Sequence, residues 1–238
     1  METLVIDIGG RNVKVWRTGE SDKVKFRSGR KLTPQIFLQG VQREIEGMHF
    51  DRISIGFPGS VVNGRPAAEP INLGPGWVEF DFADAFGCPL RIMNDACMQA
   101  LGSYEGGRML YLGLGTGIGT TFITDGKIVP LALGHLPFLG SETLDEALSR
   151  RGLELHGQKR WSHAVARAAE LLRPAFEADY VTLGGGNAKK LRSMPSDCRR
   201  GSNHNAYFGG IRMWEDSDHL DFPSLTLLHP EDEKVTTA

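Results

Sequence analysis

Three glycine-rich turns in the sequence each follow a short apolar run, and such turns can bind phosphate. They are Gly9-Gly10, Gly115-Thr116-Gly117 and Gly184-Gly185-Gly186. Because glycine has no Cβ, backbone N–H groups in these turns can approach phosphate oxygens closely. One such turn is more often only a turn, but three of them at the ends of predicted strands favour a phosphate site if the fold brings them together.

Two aspartates and two cations lie close to predicted strand ends. Asp7 ends the first apolar run, and a buried carboxylate is costly unless it is paired or holds a cation such as Mg²⁺. Asp95 directly follows a later run, where it can cap a helix or accept a proton from a sugar hydroxyl that attacks phosphorus. The sequence leaves both roles open. Lys14 and Arg11 are either solvated residues or phosphate ligands.

The composition is that of a globular protein without a strong charge. The chain has 238 residues, of which 40% are hydrophobic and 24% charged, with a formal net charge of −2. This balance gives no electrostatic reason to expect a nucleic acid or membrane partner. The three widely spaced cysteines predict neither disulfides nor a structural zinc site. No signal peptide or long apolar run is visible, so we expect a cytoplasmic protein.

The order of predicted elements indicates an α/β protein in which one pattern occurs twice. The first half is predicted as three strands, a helix and a strand, followed by helix, strand and helix, with a long loop at 58–76. The second half again begins with strand, glycine turn and strand. Further predicted elements are a hairpin at Asp125-Gly126, helices at about 141–150 and 160–173, a strand at 180–183 and a helix at 205–214.

Seven short motifs, in this order, resemble those of the ROK family of sugar kinases and repressors, in the actin/hexokinase/Hsp70 superfamily. The motifs are DIGG with Lys14, FPG (57–59), EPINLGPGW (69–77), NDA (94–96), GLGTGIG (113–119), LGH (133–135) and LGGGN (183–187). They run over roughly residues 1–215 and are most similar to the branch of polyphosphate and ATP glucokinases. The cysteine-rich zinc motif of other members is missing, so no structural zinc is expected.

The resemblance implies two actin-like (ribonuclease H-like) α/β domains that face each other across a cleft. We expect an N-terminal domain at 1–107, completed by a helix at about 205–215, and a C-terminal domain at 108–204. The tail at 216–238 is expected to pack weakly or to be disordered. The family resemblance also suggests a homodimer.

The resemblance also implies a role for each motif in a kinase that uses Mg²⁺ and either ATP or polyphosphate. Asp95 would be the catalytic base toward the 6-hydroxyl of glucose or a related hexose. Asp7 would lie near Mg²⁺ and contact it through water. The sugar-binding residues would be Asn72, Asn94, Asp95 and His135. The phosphate- and nucleotide-binding residues would be Asp7, Gly9, Gly10, Arg11, Lys14, Gly115, Thr116, Gly117, Gly184, Gly185, Gly186 and Asn187.

Two positions depart from the family pattern. Arg11 stands where the family usually has threonine, and Ala132 stands where it has a glutamate that accepts hydrogen bonds from sugar hydroxyls. Losing such a charged acceptor costs about 1.5–3 kcal/mol. We therefore expect a sugar kinase, with a catalytically weak sugar- or nucleotide-binding protein as the alternative. A phosphatase or hydrolase of the same superfamily is a third, less favoured option.

Overall fold

The computed structural model of the protein describes residues 1–19, 23–202 and 204–215. These residues form two compact units, one made of residues 1–98 and 209–215 and the other of residues 99–208. The predicted tail at 216–238 lies outside the described residues. The expected α/β class is confirmed, because each unit is built on a five-stranded mixed sheet.

The first unit contains a five-stranded sheet with the order β3-β2-β1-β4-β7. Strands β1 and β2 are antiparallel, as are β2 and β3, whereas β4 and β7 run parallel to β1. A second, two-stranded sheet pairs β5 with β6. The elements of this part of the chain are β1 (Thr3–Ile8), β2 (Asn12–Arg17), β3 (Val24–Arg27), α1 (Pro34–Glu44), β4 (Arg52–Phe57), β5 (Val61–Val62), β6 (Arg65–Pro66), α2 (Phe82–Phe86), β7 (Leu90–Asn94) and α3 (Asp95–Ser103).

The two faces of this sheet differ because successive side chains of a strand point to opposite faces. On one face, Leu4, Ile6 and Ile8 of β1 join the apolar core, together with Phe37 of α1. On the other face, a Cβ on Gly56 would lie 2.4 Å from Met98 of α3. This second face also carries Asp7, the last but one residue of β1.

The same face is covered further along by the last described helix, α6 (Asn205–Arg212). A Cβ on Gly210 would lie 2.4 Å from Val5, and the hydroxyl of Ser54 donates a hydrogen bond of 2.6 Å to the carbonyl of Gly210. Glycine therefore allows α6 to approach the sheet closely.

Local signals in the sequence place the element boundaries of both units. Thr33 caps α1 by accepting a hydrogen bond from the N–H of Ile36, and Pro34 suits the first helical turn. In the second unit, Asp125 and Gly126 both have positive φ, 49° and 75°, and join β9 to β10 in a tight hairpin. The hairpin prediction is confirmed.

The second unit is built on a sheet with the order β10-β9-β8-β13-β14. Its apolar core packs Leu112, Trp161 and Val181 between the sheet and the helices. The remaining elements are β8 (Met109–Leu114), β9 (Ile118–Thr124), β10 (Lys127–Leu131), β11 (Pro137–Leu139), β12 (Glu142–Thr143), α4 (Leu144–Leu148), α5 (Arg150–Ala175), β13 (Tyr180–Gly184) and β14 (Cys198–Arg200), with short 3₁₀ turns at Leu133–His135 and Ala188–Lys190.

Two predicted segments differ from the structure. The predicted loop at 58–76 contains the small β5–β6 hairpin, turned by Asn63 and Gly64 with positive φ. The two helices predicted at about 141–150 and 160–173 are α4 and a longer α5. Extended backbone at Ser149 separates them, and Gly157, with φ 73°, interrupts α5 where the prediction left a gap.

No helix in the described part of the chain is long and apolar enough to cross a membrane.

Candidate active site

Asp7 is the buried carboxylate of the first unit. Only 1% of its surface is exposed, and its Oδ2 lies 2.6 Å from the ammonium of Lys14, the residue directly opposite on β2. Its Oδ1 is buried without a hydrogen-bond partner among the described residues. The register of the β1–β2 hairpin therefore supplies a counter-charge for one oxygen and leaves the other free.

The free oxygen of Asp7 fits the magnesium role that the sequence predicts. Mg²⁺ keeps several waters and is usually held by one or two carboxylates plus substrate phosphates. A buried carboxylate oxygen without a partner beside a glycine turn offers one such ligand. No group of three or more His, Cys, Asp or Glu side chains within residues 1–19, 23–202 and 204–215 is arranged to hold a metal ion without such phosphates.

Asp95 is the first residue of α3 and is partly exposed. Its neighbour Asn94 caps the helix, because the Asn94 Oδ1 accepts from the N–H groups of Ala96 and Cys97 at 3.0 and 3.2 Å. The Oδ1 of Asp95 accepts from the adjacent N–H of Ala96 at 2.8 Å. The cap that was one possible role for Asp95 is thus made mainly by Asn94.

The surroundings of Asp95 raise its pKa from 3.8 to about 7. Burial is the main cause, and the negative charge of Asp7 adds to it, while the N–H of Ala96 and the charge of Lys14 oppose it. For Lys14, burial lowers the pKa, but the charge and hydrogen bond of Asp7, with a contribution from Asp95, raise it above its ordinary value. A carboxyl group with a pKa near neutrality can accept and release a proton at physiological pH.

The first glycine turn is closed by backbone hydrogen bonds. The N–H of Gly9 donates to the carbonyl of Asn12 at 3.1 Å, and the hydroxyl of Ser28 donates to the carbonyl of Gly9. The N–H of Ser28 donates to the carbonyl of Arg11 at 2.9 Å. The Arg11 residue itself is exposed, with no ion pair to an acid in the described part of the chain. Arg11 therefore leaves the backbone of this turn intact.

In the second unit, the turn after β8 is fixed at both ends. The N–H of Gly115 donates to the carbonyl of Gly117 at 3.2 Å, and the carbonyl of Gly115 accepts from the N–H of Arg150 at the start of α5. The Oδ1 of Asp145 accepts from the N–H of Ile118 at 2.7 Å and would lie 3.1 Å from a Cβ on Gly117. The exposed tip formed by Thr116 and Gly117 is held in one shape.

The turn after β13 lies against the turn after β8, because these two strands are parallel neighbours. Asn187 joins them: its N–H donates to the carbonyl of Leu114 at 2.9 Å, and its side-chain amide donates to the carbonyl of Gly115 at 3.1 Å. Gly185 has φ 77°, and a Cβ there would lie 2.7 Å from the backbone of Leu114. The structure thus brings together Gly115-Thr116-Gly117 and Gly184-Gly185-Gly186-Asn187.

The predicted sugar-binding residues differ in whether hydrogen bonds hold their side chains. Asn72 and His135 are exposed, and the structure shows no hydrogen bond from either side chain to a described residue. Ala132, at the position of the family's glutamate, is exposed before the turn that carries His135 and makes no side-chain cap. Asn94 uses its amide to donate to the carbonyl of Gly59 at 3.0 Å.

Two carboxylates that fix the turns and loops of these motifs were not predicted from the sequence. Asp145 acts on the turn after β8 from 27 residues away. Glu69 accepts from the N–H groups of Gly76, Trp77 and Val78 at 3.0–3.2 Å and so fixes the loop that contains Asn72. The glycines at 74 and 76 signalled a tight loop, but nothing local identified the carboxylate that holds it.

Comparison with known proteins shows the family. The polyphosphate glucokinase of Mycobacterium tuberculosis (strain ATCC 25618 / H37Rv) is 27% identical, over 78% of this chain and 77% of its own. The inorganic polyphosphate/ATP-glucomannokinase of Arthrobacter sp. strain KM has the same fold, with a TM-score of 0.72 and 24% identity over 87% of this chain and 96% of its own.

A ROK family glucokinase from Streptomyces griseus, solved with glucose and AMPPNP, also shares the fold, with a TM-score of 0.66 and 16% identity over 88% of this chain and 97% of its own. These likenesses agree with the actin-like fold class expected from the motifs. The sequence model of the ROK family matches residues 3–147, which is more than half of the 238 residues. The chain therefore belongs to the ROK family.

Proposed function

We propose that this protein is a sugar kinase that transfers a phosphoryl group from ATP or polyphosphate to the 6-hydroxyl of glucose or a related hexose. The observation that carries the proposal is the group of Asp7, Lys14 and Asp95, in which a paired carboxylate lies near a second carboxylate whose pKa is raised to about 7. Membership of the ROK family and the polyphosphate glucokinases among its relatives support it.

In this reaction Asp95 accepts the proton of the sugar hydroxyl as the oxygen attacks phosphorus. Lys14 places a positive charge beside the transferred phosphoryl group, and N–H groups of the first glycine turn can donate to phosphate oxygens. Asp7 would hold Mg²⁺, which neutralises charge on the donor phosphates when bound. Asn72, Asn94 and His135 are proposed to contact the sugar.

A coupled assay tests this function directly. The purified protein is given ATP or polyphosphate with each of a panel of hexoses, and sugar phosphate is measured. Asp95→Asn keeps the size of the side chain but removes the base, so we expect kcat to fall by about 10²–10⁴-fold. Asp125→Asn is the matched control, because this exposed aspartate lies in a hairpin turn that asparagine also suits.

A catalytically weak sugar- or nucleotide-binding protein is the second candidate, favoured by Ala132 and the exposed Arg11 in place of family residues. The same panel separates the two. Phosphorylation of at least one hexose, lost in Asp95→Asn, supports the kinase. Binding of nucleotide or sugar by calorimetry without any sugar phosphate would overturn the kinase and support the binding protein. The domain division at residue 107, a homodimer and a cytoplasmic location stay predictions.

A further inference from the structure

A row of charged side chains crosses the first sheet from the proposed site to its edge. Asp7 on β1 pairs with Lys14 on β2, and Lys14 pairs with Lys25 on β3. Arg27 pairs with Asn12, two residues further along the same strands. Since directly paired residues of neighbouring strands share a face, Lys25 and Arg27 lie on the face that carries Asp7.

Lys23 extends this row along the outer strand. Lys23, Lys25 and Arg27 are exposed, and the Lys23 ammonium lies 5.7 Å from the centre of the Trp16 ring. The pKa of Lys23 is lowered by burial and then by the charges of Lys14 and Lys25. The cations therefore lie close enough to repel each other. We call Lys23, Lys25 and Arg27 the β3 cationic face.

The charge of this face is not balanced by the part of the chain that the structure describes. No acid there forms an ion pair with Lys25 or Arg27, although the whole protein has a net charge of −2. Residues 23–31 contain five lysines and arginines and no acid. Like charges directly opposite on paired strands, such as Lys14 and Lys25, destabilise a sheet.

Protection of an exposed sheet edge is the simplest alternative, because β3 is an outer strand and charged residues there prevent aggregation. Charges of either sign would protect the edge, and mixed signs would avoid the repulsion between Lys14 and Lys25. An uninterrupted set of cations, next to a residue that faces the proposed phosphoryl site, is instead what binding of an extended anion requires.

We propose that the β3 cationic face binds the part of an inorganic polyphosphate donor that lies beyond the phosphoryl group being transferred. The proposal rests on the proposed function, and it assigns polyphosphate as a donor that uses more of the surface than ATP can. A nucleic acid strand fits less well, since single-stranded nucleic acids are bound by cations together with exposed aromatic rings, and Trp16 is only 2% exposed.

The test compares two double variants that remove the same charge. Lys25→Gln with Arg27→Gln changes the β3 cationic face. Lys127→Gln with Arg160→Gln is the control: Lys127 is an exposed cation on β10, the outer strand of the second sheet, and Arg160 is exposed on α5. Binding of long-chain polyphosphate, tripolyphosphate, ATP and a single-stranded oligonucleotide is measured by calorimetry at several salt concentrations, without sugar.

We expect the Lys25/Arg27 variant to bind long-chain polyphosphate about threefold to thirtyfold more weakly, with a shallower salt dependence, because two exposed charge contacts are lost. Its affinity for ATP and tripolyphosphate should change less than about twofold, and the control variant should behave as wild type. In the kinase assay, the KM for long-chain polyphosphate should rise while kcat stays the same.

Three results would overturn the inference: equal polyphosphate affinity in wild type and the Lys25/Arg27 variant, an equal loss in the control variant, or oligonucleotide binding that is as tight as polyphosphate binding and is lost in parallel. Because the calorimetry needs no turnover, it decides the inference even if no hexose is phosphorylated. That last outcome would refute the proposed function alone.

Discussion

Replacing Asp95 by asparagine should stabilise the protein at neutral pH while it removes the proposed base. Burial and the charge of Asp7 raise the pKa of Asp95 to about 7 in the folded protein, against 3.8 for an ordinary aspartate. Between these two values the folded state holds a proton that the unfolded state has lost. Folding stability therefore falls as pH rises from about 4 to about 7, and Asp95→Asn abolishes this fall.

The size of the effect follows from the pKa difference of about three units. Each unit corresponds to about 1.4 kcal/mol, which gives an upper limit of about 4 kcal/mol above pH 7. Because Asp95 is partly exposed, water screens part of this penalty, and we expect about 1–2 kcal/mol. Asparagine can still accept the hydrogen bond from the N–H of Ala96, so no other contact need be lost.

Urea unfolding from pH 4 to pH 9 measures this difference. The free energy of unfolding of the Asp95→Asn variant should equal that of wild type near pH 4, exceed it increasingly up to pH 7 and then stay parallel. Asp125→Asn should follow wild type throughout, because Asp125 is exposed. A variant that is less stable than wild type at pH 8, or a difference that does not depend on pH, would refute the strained carboxylate at Asp95.

Two further predictions concern the turns and loops that carry the site. Gly185→Ala should destabilise the protein by about 1–3 kcal/mol and weaken nucleotide binding in calorimetry, because its φ is 77° and a Cβ would meet the backbone of Leu114. At Gly186 a Cβ meets nothing within 4 Å, so Gly186→Ala should change the free energy of unfolding little. Glu69→Gln should raise the KM for hexose with little effect on ATP binding, since three N–H groups lose a charged acceptor. Glu79→Gln is the control in the same loop, and an equal KM in both variants would contradict the role of Glu69.

Much of the fold could be predicted because its signals are local. The continuous apolar run at 4–8 became β1, and Asp125-Gly126 became a hairpin turn, since both depend on residues that are neighbours in sequence. The glycine turns at 115–117 and 184–186 were predicted to converge only if the fold allowed it. Parallel pairing of β8 with β13 brings them together within one unit.

The contacts that shape the site could not be predicted, because they depend on register and on loop conformation. Asp7 and Lys14 are seven residues apart, and only the exact register of the β1–β2 hairpin places them opposite each other. Whether Asp95 is the main cap of α3 depends on whether Asn94 turns its oxygen toward the helix. Asp145 reaches its turn from a separate helix, so no short pattern reveals it.

The two carboxylates of the first unit have different surroundings, and this difference separates their proposed roles. Asp7 is almost fully buried but has the ammonium of Lys14 at 2.6 Å, so its negative charge is matched within the fold. Asp95 has no ion pair among the described residues, and burial, followed by the charge of Asp7, raises its pKa. Of two neighbouring carboxylates, the one that is paired with a cation suits a permanent charge, and the one with the raised pKa suits proton transfer. In the proposed reaction Lys14 would therefore act in two ways: its ammonium is the counter-charge of Asp7, and its charge limits the rise in the pKa of Asp95.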